Sequence, residues 1–168
     1  MPSGVFAKLN LKEQKEIVVL NAPESFEAEL GQLCGVSVRR NLSSRRPVSF
    51  ALAFVTRQPE VDSLTKSLAK LADGDAVVWF AYPKGSSKRY TCQINRDTGW
   101  HALGAAGFEG VRMVAIDEDW SAARFRRVEF IKTMKRDVSG AMTKVGKARV
   151  TGANRKSTIK SHQRVKNR

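Results

Sequence analysis

The sequence has few of the residues that mark disulfide-bonded or metal-binding domains. Two cysteines, Cys34 and Cys92, and two histidines, His101 and His162, occur among 168 residues. Two cysteines cannot form a disulfide framework, and a secreted, disulfide-stapled domain is therefore excluded. Since there is no CxxC pair, the spacing of these four residues also matches no zinc site.

Long hydrophobic runs are absent as well. The longest, residues 48–55 and 76–82, are far shorter than the roughly 20 residues that a helix needs to cross a bilayer. The N-terminus has no charged segment followed by an apolar one, as a secretory signal would have. We therefore expect a soluble cytoplasmic protein with one packed core.

Positive charge, in contrast, is abundant, and it is concentrated at one end. Lys and Arg number 30 against 16 Asp and Glu, a net charge of +14. Residues 132–168 hold 12 of these cations and a single acid, Asp137. From Val138 onward there is no aromatic residue and too little apolar area to offset the entropy of ordering. The sequence predicts a folded domain over residues 1–137 and a disordered basic tail over 138–168.

A flexible polycation is attracted to RNA or DNA through counterion release. We expect the tail to contact nucleic acid with little sequence preference, because it has no aromatic side chain to stack on bases. A solubilising extension without a partner is the alternative. A membrane surface is not expected, since the tail has no apolar stripe or lipidation signal. The predicted nucleic-acid contacts are Arg149, Arg155, Lys156, Lys160, Arg164, Lys166 and Arg168.

Strand-like and helix-like segments alternate along residues 15–131, the pattern of a parallel α/β sheet. Residues 48–55 and 76–82 are apolar throughout, as expected for strands that are covered on both faces. The remaining predicted strands are residues 17–20, 36–40, 111–116 and 123–130, and the predicted helices are residues 24–33, 61–71 and 96–106. The fold class is α/β: a single Rossmann-like, mostly parallel sheet with helices on both faces, ending in an antiparallel hairpin.

This order of elements resembles a shortened class I methyltransferase, whose Rossmann-like sheet also ends in an antiparallel pair. Residues 11–20 lie where those enzymes approach their first strand. The strand from Val48, the helix from Val61 and the Asp73-Gly74-Asp75 turn into residues 76–80 resemble the later strand, helix and strand.

Four segments together resemble a small bacterial protein family that carries no assigned activity, a domain of unknown function. They are LNAPESFEAEL from Leu20, VWFAYPKGSSK from Val78, INRDTGW from Ile94 and AIDEDWSAARFR from Ala115. The resemblance covers about residues 5–135 and implies a bacterial source.

The chain departs from the methyltransferase pattern where those enzymes bind S-adenosylmethionine. A glycine-rich turn lets the backbone approach the cofactor, and an acid that ends the second strand accepts hydrogen bonds from the ribose. Here the first turn is Asn21-Ala22-Pro23-Glu24, and the second strand ends in Arg39-Arg40-Asn41. We therefore expect no cofactor.

In open α/β sheets, ligands bind at the carboxyl ends of the parallel strands. Lysines and serines around a glycine after residues 76–82 would suit a nucleotide, a phosphate or a nucleic-acid backbone. An ordinary solvated turn is the alternative. The candidate ligand-binding residues are Asn21, Glu24, Arg57, Lys84, Gly85, Ser86, Ser87 and Lys88.

Three further features have simpler structural interpretations. Asp117 and Asp119 are interpreted as shaping a hairpin turn rather than binding a metal, and Arg124 and Arg126 as pairing with these acids. His101 is interpreted as an ordinary helical residue rather than a catalytic one, and the two cysteines as small buried residues.

Three functions follow from these observations. The first is a non-catalytic protein that binds an anionic ligand at the strand ends and nucleic acid through its tail. The alternatives are a small methyltransferase-like transferase with a degenerate cofactor site and a protein-assembly partner. The sequence names neither the ligand nor the oligomeric state.

Overall fold

The computed structural model of the chain describes residues 4–132 and 141–149. Six strands form one sheet in the order β2-β1-β3-β4-β6-β5. The strands are β1 Glu16–Leu20, β2 Ser37–Arg39, β3 Val48–Phe54, β4 Ala72–Pro83, β5 Phe108–Ala115 and β6 Trp120–Arg127. The helices are α1 Val5–Lys8, α2 Glu27–Gly31, α3 Gln58–Leu71 and α4 His101–Ala105, with 3-10 turns at Glu24–Phe26 and Val128–Phe130.

The sheet is parallel on one side and antiparallel on the other. Strand β1 pairs in parallel with β2 and β3, and β3 pairs in parallel with β4. Strand β6 runs antiparallel to both β4 and β5. The predicted fold class, a mostly parallel sheet that ends in an antiparallel hairpin, is confirmed.

Helices cover both faces of the sheet, as predicted. Phe6 of α1 and Leu30 of α2 pack with one core cluster, which includes Trp79. Val61 and Leu68 of α3 pack with the other cluster on the opposite face. Since residues 50–54 of β3 and 76–82 of β4 contribute side chains to both clusters, neither strand has a face in water along these central stretches.

Helix α1, which the sequence analysis did not predict, is held by the core itself. The indole N–H of Trp79 donates to the carbonyl of Leu9 at 2.7 Å, just after the helix ends. Because a buried indole donor needs an acceptor, the central strand of the sheet fixes the path of the N-terminal segment.

Two predicted boundaries differ from the structure. Strand β4 begins at Ala72, directly after α3, so Asp73-Gly74-Asp75 is a strand rather than a turn. Ala72 pairs with Val48, and a bulge between Val48 and Phe50 accommodates this early start. Helix α4 is shorter than the predicted 96–106, because Gly99 has φ of 100° and interrupts the helix before His101.

The prediction of disorder is wrong for residues 141–149 of the tail. Ala141 and Thr143 are buried, and residues 144–149 are helical. The carboxylate of Glu109 in β5, which is 0% exposed, accepts hydrogen bonds from the backbone N–H groups of Met142 and Thr143 and from the Thr143 hydroxyl. Composition alone does not reveal that this segment is ordered, because its anchor is a buried acid in another strand, Glu109.

The rest of the tail prediction lies outside the described residues. This applies to residues 133–140, which include the predicted domain boundary, and to residues 150–168. No helix in the described part of the chain is both long and apolar enough to cross a membrane.

Substitution Glu109→Ala tests the anchor of the C-terminal segment. Losing the shared acceptor leaves buried N–H groups without a partner, and we expect the free energy of unfolding to fall by about 2 kcal/mol. Urea denaturation measures this change, and amide exchange at Met142 and Thr143 should accelerate. Glu118→Ala, at an exposed position of the β5–β6 connection, is the control and should change stability by less than about 0.5 kcal/mol. Equal stability of the two variants would contradict the anchor.

Candidate functional site

A cleft of about 600 Å³ lies at the carboxyl end of β4. Three of the predicted ligand-binding residues, Lys84, Gly85 and Ser87, line it. Ser86 and Lys88 belong to the same loop and are exposed, but they do not line the cleft. The structure therefore gathers the centre of the predicted loop at the strand end where ligands bind in open α/β sheets.

The other predicted ligand-binding residues lie elsewhere on the strand-end surface. Asn21 and Glu24 are exposed after β1, and neither lines the cleft. Arg57 is also exposed, and its Nε lies 3.7 Å from the carboxylate of Glu60. The sequence placed all three correctly after parallel strands, but it did not show which loops share a cavity.

The far wall of the cleft comes from residues that the sequence analysis did not propose as ligand contacts. This wall consists of Cys92, Asn95 and Arg96, and Tyr82 of β4 also lines the cleft. The carboxamide oxygen of Asn95 accepts from the N–H groups of Asp97 and Thr98 at 2.8 and 2.9 Å, an Asx turn. This turn explains why the segment is a loop and not the start of the predicted helix, and it presents Arg96 to the cleft.

Hydrogen bonds from neighbouring loops fix the position of this wall. The N–H of Gln93 donates to the carbonyl of Thr56 at 3.1 Å, and the N–H of Gln58 donates to the side-chain oxygen of Gln93 at 3.2 Å. The segment after β3 thus fixes Gln93, which lines the cleft, although the segment itself contributes no lining residue.

The loop at the near wall is tied to the β5–β6 connection. The N–H of Lys84 donates to the carbonyl of Asp119 at 2.7 Å, and the hydroxyl of Ser87 donates to the Asp119 carboxylate at 2.9 Å. The same hydroxyl accepts from the N–H of Tyr90 at 3.3 Å. These hydrogen bonds therefore fix the backbone of the turn that carries Lys84.

Burial acts in the same direction on Tyr82 and Cys92, two of the titratable side chains that line the cleft. Desolvation raises the pKa of the Tyr82 phenol, so that Tyr82 stays a hydrogen-bond donor at neutral pH. Desolvation also raises the pKa of the Cys92 thiol, and the N–H donated by Ile94 only partly offsets it. A protonated thiol is a poor nucleophile, so Cys92 is not activated for covalent chemistry.

The acidic cluster of the β5–β6 connection has a structural role. The Asp117 carboxylate accepts from the N–H groups of Asp119 and Trp120, both at 2.8 Å, which confirms the turn interpretation for Asp117. The Asp119 carboxylate accepts from the Ser87 hydroxyl instead. Residues 4–132 and 141–149 contain no group of three or more His, Cys, Asp or Glu side chains that could hold a metal ion. The predicted pairing with arginines is wrong: Arg126 binds Asp75 of β4 instead, and Arg124 pairs with neither acid.

A larger cavity of about 1080 Å³ lies between α4 and the β5–β6 hairpin. His101, Trp100 and Met142 line it, and Arg96 lies between the two cavities because it lines both. The smaller cleft is the better ligand site, because it lies at the ends of the parallel strands and joins the predicted cationic loop.

The residues at the cofactor position of the methyltransferase pattern do not fit S-adenosylmethionine. Asn21 follows β1 with φ of 57°, and Pro23 precedes the 3-10 turn, where the pattern has a flexible glycine turn. Beyond β2, Arg40 donates two hydrogen bonds to Glu27, at 2.9 and 2.7 Å. A neutralised cation thus replaces the acid that would accept hydrogen bonds from the ribose.

Among the predicted nucleic-acid contacts, the structure describes Arg149 only. Its guanidinium donates to the carbonyls of Val128, Ile131 and Lys132, at 3.2, 2.5 and 3.0 Å. Arg149 therefore closes the C-terminal helix onto the end of the sheet. The other six predicted contacts, from Arg155 to Arg168, lie outside the described residues.

Solved methyltransferases share this fold. A SAM dependent methyltransferase from Aquifex aeolicus is 14% identical, with a TM-score of 0.50 over 74% of this chain and 88% of that one. A magnesium protoporphyrin IX methyltransferase from Synechocystis, with bound SAM, is 13% identical, with a TM-score of 0.48 over 73% of this chain and 74% of that one. The N-methyltransferase NodS from Bradyrhizobium japonicum is 14% identical, with a TM-score of 0.44 over 67% and 74%.

The likeness to the Aquifex aeolicus protein confirms the Rossmann-like fold of the class I methyltransferases, and at 14% identity it shows the fold alone. No protein-family model matches the chain. No curated protein matches it either.

The interpretation of both cysteines as buried residues is wrong for Cys34, which is exposed, and Cys34 therefore serves as the reference in a chemical test of the raised pKa of Cys92. With Cys34 replaced by serine, we expect iodoacetamide to alkylate Cys92 at pH 7.5 at least about fivefold more slowly than it alkylates the exposed Cys34 in a Cys92→Ser variant. The Cys92 rate should still rise at pH values where an ordinary thiol has levelled off, because a raised pKa delays formation of the thiolate. A Cys92 that reacts as fast as Cys34 at neutral pH would show an activated thiol instead.

Proposed function

We propose that this methyltransferase-like protein binds a small anionic ligand, a nucleotide or phosphate compound, in the cleft at the end of β4. One observation carries the proposal. Lys84 and Arg96 are the charged residues that line the cleft, and the described lining includes no carboxylate and no histidine. A cavity with two cations and no acid favours an anion by direct charge interaction.

The two cations come from two different loops of the cleft. Lys84 follows β4 on the turn that Asp119 fixes, and Arg96 follows the Asx turn at Asn95. Because both turns are held by hydrogen bonds, the backbone that carries each cation is fixed before a ligand arrives. This arrangement lowers the entropic cost of binding.

Neutral donors complete the ligand chemistry. Tyr82, Thr91 and Ser121 line the cleft and offer hydroxyl groups, and Gly85 allows close approach to the backbone of the loop. Since burial raises the pKa of the Tyr82 phenol, the phenol is protonated at neutral pH and its hydroxyl can donate a hydrogen bond to the ligand. Donors and cations together match phosphate oxygens.

The same residues supply little for turnover. A general base needs an acceptor with a suitable pKa in the cleft, and the described lining has no Asp, Glu or His. Asp119 lies next to the loop, but its carboxylate accepts from Ser87 and lies 3.8 Å from Arg89. These observations support ligand binding without catalysis.

We extend this proposal to the basic tail, whose charge suits a nucleic-acid backbone. Residues 150–168 contain six Lys or Arg and no acid. In the proposed arrangement the cleft binds the small ligand, and this segment contacts RNA or DNA.

A small transferase is the second candidate. The fold shared with SAM dependent methyltransferases supports it, and supports it more directly than it supports binding alone. The Arg40–Glu27 pair argues against S-adenosylmethionine in the position that the methyltransferase pattern assigns to it. A transferase of this kind would have to hold its donor through other residues.

Ligand-induced stabilisation tests the first candidate. The full chain is screened for its melting temperature with AMP, ADP, ATP, GTP, pyrophosphate and inorganic phosphate. A true ligand at 100 times its Kd stabilises by about 2.7 kcal/mol, which for a chain of this size raises Tm by roughly 5 to 10 °C. The best ligand is then titrated calorimetrically against variants.

Lys84→Ala should weaken that ligand at least about tenfold, since a charge-assisted hydrogen bond is lost. Lys88→Ala removes a charge from the same loop but outside the cleft, and should change Kd less than about threefold. A flat melting response to the whole panel would contradict the proposal, as would equal losses in the two variants.

S-adenosylmethionine added to the same assay separates the two candidates. We expect no shift in Tm, because Asn21, Pro23 and Arg40 do not form the cofactor turn and ribose acid. A shift that Lys84→Ala leaves intact, together with transfer of a labelled methyl group to any acceptor in an extract, would favour the transferase.

A further inference from the structure

Three arginines share one face of the β5–β6 hairpin, the sheet face that carries α1 and α2. Arg124 and Arg126 alternate along β6 with Ala123 and Phe125, which pack on the other face. Arg112 of β5 lies directly opposite Arg124 in the strand register. Because opposed residues of an antiparallel pair point to the same side, the three guanidinium groups are neighbours.

One carboxylate neutralises one of the three arginines. Arg126 donates from Nε to Asp75 of β4 at 2.7 Å and pairs with it through a second nitrogen. Arg112 and Arg124 have no ion pair or hydrogen-bond partner for their guanidinium groups in the described part of the chain. Two like charges thus stand directly opposite each other, which destabilises a strand pair.

Arg124 is the more constrained member of this pair. Its Nε is buried and has no hydrogen-bond partner among residues 4–132 and 141–149. Burial lowers the pKa of Arg124, and repulsion from Arg126 and Arg112 lowers it further, whereas Asp75 acts in the opposite direction. Arg124 thus carries a partly buried charge that no carboxylate pairs with directly in the described part of the chain, and an anion on this face would compensate it.

We infer that Arg112 and Arg124 bind a phosphate-type oxyanion on this face of the hairpin. A tetrahedral oxyanion would accept from the outer nitrogens of both guanidinium groups and would screen the repulsion across the two strands. This site is separate from the cleft, since neither arginine lines it. Arg112 also reaches the larger cavity, whereas Arg124 lines neither one.

The proposed site and an ordinary solvated arginine surface predict different effects of a substitution on the stability of the protein. If holding the two like charges close together lowers the stability of the fold, removing one of the charges should raise it. Arg112 is exposed, so Arg112→Gln creates no cavity. We expect this variant to melt at the same temperature as the wild type or higher in phosphate-free buffer, while it loses anion binding.

The experiment uses the full chain in a chloride buffer and follows the Nε–H resonance of Arg124 by NMR during titration with inorganic phosphate. The wild-type resonance should shift in a saturable way, and Arg112→Gln should weaken Kd at least about tenfold. Arg124→Lys keeps the charge but loses the fork of donors and should weaken binding similarly. The control is Arg45→Gln, at an exposed position before β3, which should leave Kd within about twofold.

A second arm replaces phosphate by an oligothymidylate of 20 nucleotides at 50 and 200 mM salt. If the variants weaken both ligands, the site accepts a free phosphate group; if they weaken the oligonucleotide alone, the phosphate comes from a nucleic-acid backbone. Wild-type affinity of Arg112→Gln and Arg124→Lys in both arms would overturn the inference. So would an equal loss in Arg45→Gln, since net charge alone would then explain binding. Because the cleft residues are intact in all variants, these outcomes are independent of the proposed function.

Discussion

The central residues of strands β3 and β4 have both faces in the protein core, and this constraint keeps polar groups out of the middle of these two strands. From Phe50 to Phe54 and from Val77 to Ala81, each side chain belongs to one of the two core clusters. A strand with no wet face has room for function only at its ends. The cleft, with Lys84 on one side, is the point at which β4 leaves the core and its loop first meets water.

The same constraint explains which parts of the structure could be predicted from the sequence. Continuous apolar runs identified both central strands, and the spacing of Val61 and Leu68 identified α3, because these signals are local. Helix α1 could not be found this way. Its place depends on the Trp79 indole meeting the Leu9 carbonyl, a contact across 70 positions that no local pattern contains.

The candidate site, too, could be predicted from the sequence only in part. The loop from Lys84 to Ser87 was predictable because a glycine among cationic and hydroxyl residues follows a buried strand. Arg96 was missed because its segment was interpreted as a helix, and the Asx turn at Asn95 depends on one side-chain oxygen. The ordered part of the tail was missed for a related reason, since Glu109 was counted as one of many acids and not as a buried acceptor.

The fold and the residues on it carry different information. Sheet order and strand directions agree with the methyltransferase fold, whereas Asn21, Pro23 and the Arg40–Glu27 pair depart from its cofactor site. A scaffold tolerates such changes as long as its core is kept, because the strand-end loops contribute little to packing. The cleft at the end of β4, with Lys84 and Arg96 in its lining, lies at the same edge of the sheet.

The two outer strands determine how this sheet meets other chains. Strand β2 is three residues long and is followed by Arg40, and β5 carries a bulge between Gly110 and Arg112. Near that bulge the N–H of Gly110 donates to the sulfur of Met142 from the C-terminal segment. Short length, charge and irregularity are the features by which natural proteins prevent edge-to-edge strand addition. Self-association of this protein would therefore have to proceed through side-chain surfaces rather than by extending the sheet from one copy into the next.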